Sequence, residues 1–129
     1  MFLVTPLFAA LLALMFVLLS ANIVRLRFRE QVSLGDGGNP SLNIAIRIQA
    51  NFVEYVPFTL LLMWLLESID LSPARVLWIG FALVLSRIFH VLGMSFPKKL
   101  MILRQISVIL SFVILVWLSV AILGYYLAP

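Results

Sequence analysis

The residues able to do chemistry in this sequence lie inside or beside its apolar runs. One run, from about Ile44 to Leu66, contains Arg47, Gln49, Asn51 and Glu54. At 100° per residue, Asn43, Arg47, Asn51 and Glu54 fall on one side of a helix, while Gln49 points nearly opposite Arg47. Arg87 and His90, three residues apart, share a face near the end of another run. Arg104 opens the last run, and Ser107 and Ser111 continue its face. Arginines gathered from several helices can grip carboxylates in bidentate fashion. Asn51 offers both a donor and an acceptor, and Glu54 could receive an ammonium group. The ligand such a set suits is small, zwitterionic and rich in carboxylate.

The elements that must position these residues follow from composition. Of 129 residues, 64% are hydrophobic and 11% charged, and the mean hydropathy is +1.20. A soluble domain is about 45–50% apolar. So few charges cannot coat a water-soluble surface of this size, and the chain reads as an integral membrane protein. Spans are expected at about 2–24, 44–66, 74–93 and 100–127, because a membrane helix needs about 20 apolar residues. Helices are required, since open strands in lipid would leave backbone groups unsatisfied. The fold class is therefore an all-α four-transmembrane-helix bundle, a single domain over residues 1–129. No Lys or Arg precedes Arg25, so the first run reads as an uncleaved span and not a secretory signal. Pro57, inside the second span, removes the hydrogen bond to the Val53 carbonyl and predicts a kink there.

The connecting segments differ in character. Residues 25–43 hold Gly35-Asp36-Gly37-Gly38-Asn39-Pro40, a turn-forming run with no Gly-Lys-Ser/Thr to make a phosphate loop. The second loop is read as Glu67 to Pro73, with Ser72 as N-cap before Pro73 at the first helical position. The third centres on Phe96-Pro97-Lys98-Lys99. Arg25, Arg27, Arg29, Lys98, Lys99 and Arg104 flank loops one and three, against Arg75 alone on the other side. The positive-inside rule puts loops one and three in the cytoplasm and both termini opposite, with Trp78, Tyr125 and Tyr126 as outer interfacial anchors. The net charge of +4 suits anionic headgroups and gives no reason to expect nucleic acid. With no cysteine and one histidine, no metal site is expected.

Other roles for the polar residues stand beside the ligand reading. Arg47 and Glu54 could form a structural ion pair, or Glu54 and Arg87 could pair across helices. Arg87 and Arg104 could snorkel to headgroups. His90 could be a packing histidine, and Ser107 and Ser111 small residues between helices.

The stretch from Arg47 to Pro57, with Asn51, Glu54 and Tyr55 between, resembles the MAPEG signature Arg-x-x-x-Asn-x-x-Glu-Tyr-x-Pro. MAPEG denotes the membrane-associated proteins in eicosanoid and glutathione metabolism. Val24-Arg25-Leu26-Arg27 resembles the end of span one in prostaglandin E synthase-like members, and Arg87-Ile88-Phe89-His90 resembles their Arg-x-x-His. With Gly35-Asp36-Gly37-Gly38 and Ala45-Ile46-Arg47-Ile48, the sequence is most similar to the small bacterial inner-membrane branch of the family. The span-two motif is specific, and the resemblance runs through nearly the whole chain.

The resemblance implies a homotrimer with glutathione held between protomers near the cytoplasmic face. It implies glutathione contacts from Arg25, Arg47, Gln49, Asn51, Glu54, Tyr55, Arg87 and His90, with Gln49 reaching a neighbouring protomer. Arg104 matches the family's catalytic arginine. Glutathione would be the co-substrate, with no metal, and a hydrophobic, lipid-like electrophile or hydroperoxide would arrive from the bilayer among the membrane lipids. The implied activity is that of a microsomal-type glutathione transferase or peroxidase. Two departures are visible: Met94 stands where members commonly have tyrosine, and Gln105 where some have a hydroxyl residue after the arginine. A non-catalytic glutathione- or lipid-binding scaffold is the competing class. A transporter subunit fits less well, because no inverted repeat or pair of broken helices is present.

Overall fold

The computed structural model describes residues 2–69 and 72–128. Four helices follow in order: α1 (Thr5–Glu30), α2 (Pro40–Ile69), α3 (Pro73–Ser95) and α4 (Pro97–Leu127). All four are long and apolar enough to cross a membrane. Even α3, with 23 residues, spans about 34 Å against a hydrocarbon core of about 30 Å.

Proline sets most of the helix starts. Pro40, Pro73 and Pro97 open α2, α3 and α4, where the missing N–H would have lacked a partner anyway. Ser72 is the residue before α3, as expected, but its side chain makes no capping bond. Its carbonyl instead accepts the Arg75 and Val76 amides. Asn39 does cap α2, its Oδ1 accepting the Leu42 N–H at 2.9 Å.

The helices outrun the expected spans. α1 continues past Val24 through Arg25, Arg27 and Arg29, basic residues that suit the negative end of a helix dipole. Gln31 then ends it in a left-handed conformation with φ 55°. The first loop is folded back on α1: the Arg27 Nη1 donates to the Gly35 carbonyl at 2.8 Å and to the Val32 carbonyl at 3.4 Å. Gly35, Gly37 and Gly38 all have positive φ, as the turn reading requires. Lys98 and Lys99 belong to the first turn of α4, not to a loop. That turn is interrupted at Leu100 (φ −121°, ψ 23°), whereas α2 runs unbroken as a helix through Pro57.

The second loop requires a correction. Glu67, Ser68 and Ile69 are the last residues of α2, and Asp70 and Leu71 lie outside the described residues. Glu67 is only 1% exposed. Its carboxylate accepts the backbone N–H of Val4 at 2.5 Å and of Thr5 at 2.9 Å. A carboxylate facing the positive end of a helix dipole satisfies two amides that lack intrahelical partners. That pairing lets the acid sit inside the bundle instead of in a solvated loop.

α3 and α4 form the most extensive helix pair, followed by α1 with α2. The core between them holds Phe8, Leu12, Phe52, Val56, Met63, Leu83, Ile114 and Leu118. Leu14, Leu18, Ile109, Val116 and Val120 project outward, the pattern of helices whose outer faces meet lipid. Gly80 accommodates the ring of Phe8, which occupies the space a side chain would need.

Candidate functional site

The polar residues of α2, α3 and α4 meet around Arg87. This arginine is 2% exposed. Its Nη1 donates to Asn51 Oδ1 at 2.8 Å, its Nε donates to Ser86 Oγ at 3.2 Å, and its Nη2 donates to Ser111 Oγ. The two serines can accept because their own protons go elsewhere. Ser86 donates to the Leu83 carbonyl at 2.7 Å, and Ser111 to the Ser107 carbonyl at 2.8 Å. A buried guanidinium is thus wrapped in neutral oxygens from three helices. Ser107 and Ser111 share the Arg104 face, as their spacing requires, and they serve as hydrogen-bonding groups as well as small packing residues. Their spacing on the Arg104 face was the available signal for a polar seam.

One turn further along α3, His90 is also buried. Its Nδ1 lies 3.4 Å from Ser107 Oγ, and Ser107 donates to the Arg104 carbonyl at 2.7 Å. The other ring nitrogen of His90 has no hydrogen-bond partner among the described residues.

The remaining expected site residues are placed differently. Arg47, Glu54 and Arg104 are exposed. Among the described residues the ion pair is that of Arg29 with Glu30, so neither the Arg47–Glu54 pair nor the Glu54–Arg87 pair forms. Tyr55 is half-buried, its ring 5.9 Å from that of Phe112 on α4. Gln49 points to α1 and donates to Ser20 Oγ at 2.7 Å, in keeping with its direction opposite Arg47. Arg25 is exposed near the end of α1, bonded to Asn22 Oδ1 at 2.8 Å. It lines a cleft of about 280 Å³ with Arg29, Ser41 and Ser95. Arg104 lines a groove of about 510 Å³ on the outer surface of α4, with Met101, Gln105 and Val108. One chain therefore joins Asn51 to Arg87 and His90 to the Arg104 turn. It does not bring Arg25 or Gln49 to them.

Four membrane-spanning helices with the Arg-x-x-x-Asn-x-x-Glu-Tyr-x-Pro run on α2 are the features by which the class of this protein is recognised. The chain belongs to the MAPEG family, which it matches over residues 5–124. It is similar to inner membrane protein YecN of Escherichia coli strain K12, with 39% identity over 90 residues, covering 70% of this chain and 69% of the relative. YecN of Escherichia coli O6:H1 shows the same identity and coverage. No solved structure matches the chain.

Proposed function

We propose that this protein is a glutathione transferase or peroxidase of the bacterial inner membrane, acting on hydrophobic electrophiles or lipid hydroperoxides. Family membership and the inner-membrane relative support the general setting. The observation that carries the site is the set of exposed charges on membrane-spanning helices that form no ion pair among the described residues: Arg47 and Glu54 on α2 and Arg104 on α4. Glu54 lies near the middle of α2, where a charge costs about 2.5–3.5 kcal/mol on insertion scales, so it faces protein, water or a ligand. Glutathione, with two carboxylates and an ammonium, matches the Arg47 guanidinium and the Glu54 carboxylate, and its thiol is left for Arg104.

In this reading three copies assemble, and the tripeptide lies between neighbours. Arg47, Asn51, Glu54 and Tyr55 bind it from one protomer, backed by Arg87 and His90. Arg25 and Gln49, which lie on the α1 side of α2, serve the site of an adjacent copy. Loops one and three face the cytoplasm. Arg104 stands beside the sulfur. A free cysteine thiol, with a pKa of about 8.5, is only a few per cent ionised at neutral pH. A nearby guanidinium favours the thiolate, which then attacks an electrophile entering from the bilayer.

Calorimetry of glutathione binding to the detergent-purified protein tests this. Loss of about tenfold or more in affinity in each of Arg47→Ala, Asn51→Ala and Glu54→Ala is expected, about 1.4 kcal/mol per decade. A folded wild type that binds no glutathione overturns the reading. A non-catalytic scaffold is the second reading, favoured by Met94, where members of the family commonly have tyrosine, and by Gln105, where some have a hydroxyl residue. Binding without thiolate formation would select it.

A further inference from the structure

The Arg104 guanidinium makes no hydrogen bond among the described residues, so its location depends on how the backbone beneath it is held. Three features hold that backbone. First, Gly93 on α3 is pressed against the Arg104 turn. A Cβ built on Gly93 would lie 2.7 Å from the Cβ of Arg104 and 2.8 Å from its Cα, closer than carbon atoms approach. The two helix backbones therefore touch at this point, and only glycine permits it. Second, Leu100, one turn before Arg104, has left helical geometry. The regular part of α4 thus begins just ahead of Arg104. Third, Ser107 Oγ donates to the Arg104 carbonyl at 2.7 Å while facing His90 Nδ1 at 3.4 Å. The hydroxyl has one proton, which it gives to the carbonyl. Its oxygen faces His90 Nδ1, and the chain His90–Ser107–Arg104 carbonyl crosses from α3 to α4.

We infer that Gly93 and Ser107 are positioning residues for Arg104, setting where its guanidinium stands relative to the bound thiol. The inference rests on the glutathione reading of the site and deepens it. Neither residue need touch the ligand. A guanidinium acts on sulfur through a distance-dependent charge interaction, and misplacement by about 1 Å of a group that must be pre-aligned can cost about a hundredfold in rate. Gly93 fixes the separation of the two helices, and Ser107 fixes the rotation of the Arg104 turn against His90.

The test combines two readouts on the full-length protein in detergent: glutathione affinity by calorimetry, and bound thiolate by its ultraviolet absorbance across a pH series. Wild type, Ser107→Ala, Ser107→Thr, Gly93→Ala and Arg104→Ala are compared. At pH below the thiolate midpoint, where the bound thiol is neutral, Ser107→Ala is expected to retain wild-type affinity, while its midpoint moves up by about one pH unit, a tenfold loss of thiolate at fixed pH below the midpoint. Ser107→Thr keeps the hydroxyl and restores the wild-type midpoint. Gly93→Ala loses more than Ser107→Ala. Because a backbone clash can unfold the α3–α4 hairpin, the Ser107 pair is decisive on its own. A wild-type midpoint in Ser107→Ala, with the thiolate lost in Arg104→Ala, overturns the positioning role and leaves the glutathione reading intact. A fall of Ser107→Ala affinity at pH below the midpoint, where the bound thiol is neutral in both proteins, also overturns it, showing a general packing role. A folded wild type that binds no glutathione overturns both.

Discussion

Asn51 accepts a 2.8 Å hydrogen bond from Arg87, so a buried cation is held by a neutral amide and not by the carboxylate of Glu54 three residues along α2. This contact ties α2 to α3 at the level where α4 contributes Ser111. It also leaves Glu54 free of Arg87. The same pair that stabilises the bundle therefore releases an acid for other contacts.

Removing the Asn51 amide should weaken the fold as well as the site. A hydrogen bond to a charged group contributes about 1.5–3 kcal/mol, and Asn51→Ala is expected to lose that much, read as a lower thermal midpoint in detergent. The double variant Asn51→Leu with Arg87→Met should recover much of it, because replacing a buried charge together with its partner by apolar residues is often neutral. A double variant less stable than Asn51→Ala would show that the polar network holds the bundle by more than pairing.

Glu67 should be protected from replacement by anything that cannot accept two amides. Glu67→Ala leaves the Val4 and Thr5 N–H groups without their partner, at about 1–3 kcal/mol each, whereas Glu67→Gln keeps one acceptor oxygen. Hydrogen exchange localised to residues 4 and 5 is expected to be fastest in the alanine variant, intermediate in glutamine and slowest in wild type. Equal rates in all three would remove Glu67 from this role.

Loop one should respond to acid through Asp36. The Gly38 N–H, followed by the Asn43 side chain, holds the Asp36 carboxyl below its ordinary value of 3.8. A depressed folded value means that the ionised form supports the folded loop. Its contribution is complete above the ordinary value and disappears as pH falls through the depressed one. The protection of the Gly38 amide, its exchange relative to the intrinsic rate at each pH, should therefore fall only in acid, and Asp36→Asn should abolish that dependence. Protection that is flat with pH in wild type would count against it.

Gly80→Ala is expected to cost about 1–3 kcal/mol by overpacking, because its Cβ would occupy the space of the Phe8 ring. Phe8→Leu should relieve part of that cost, giving a favourable coupling in a double-mutant cycle. Additive losses would mean that the Phe8 ring is not what the Gly80→Ala methyl meets.

The four spans were legible because apolar length is a strong signal and few alternatives exist in lipid. Their ends were not, because a helix does not stop where its apolar run does. The arginines after Val24 stay helical, and Lys98 and Lys99 join α4. Glu67 was misplaced for a related reason: an acid near a helix end reads as solvated unless its acceptor role for a distant segment is known. The face shared by Arg87 and His90 was visible from spacing. That serines of α4 would accept from the first and orient beside the second was not, since Ser at i+3 and i+7 serves packing equally well. Gly93 carried no signal at all, because its importance lies in what stands opposite it.

The Glu67 contact also bears on the order of membrane insertion. The amides that start α1 find their acceptor only at the last turn of α2, some sixty residues later in synthesis. When α1 first emerges, its leading end is chemically incomplete and must rely on water or headgroups. The first helix is finished by the second, so the α1–α2 hairpin, not the single span, is the smallest unit that can settle into the bilayer with its backbone satisfied at that end.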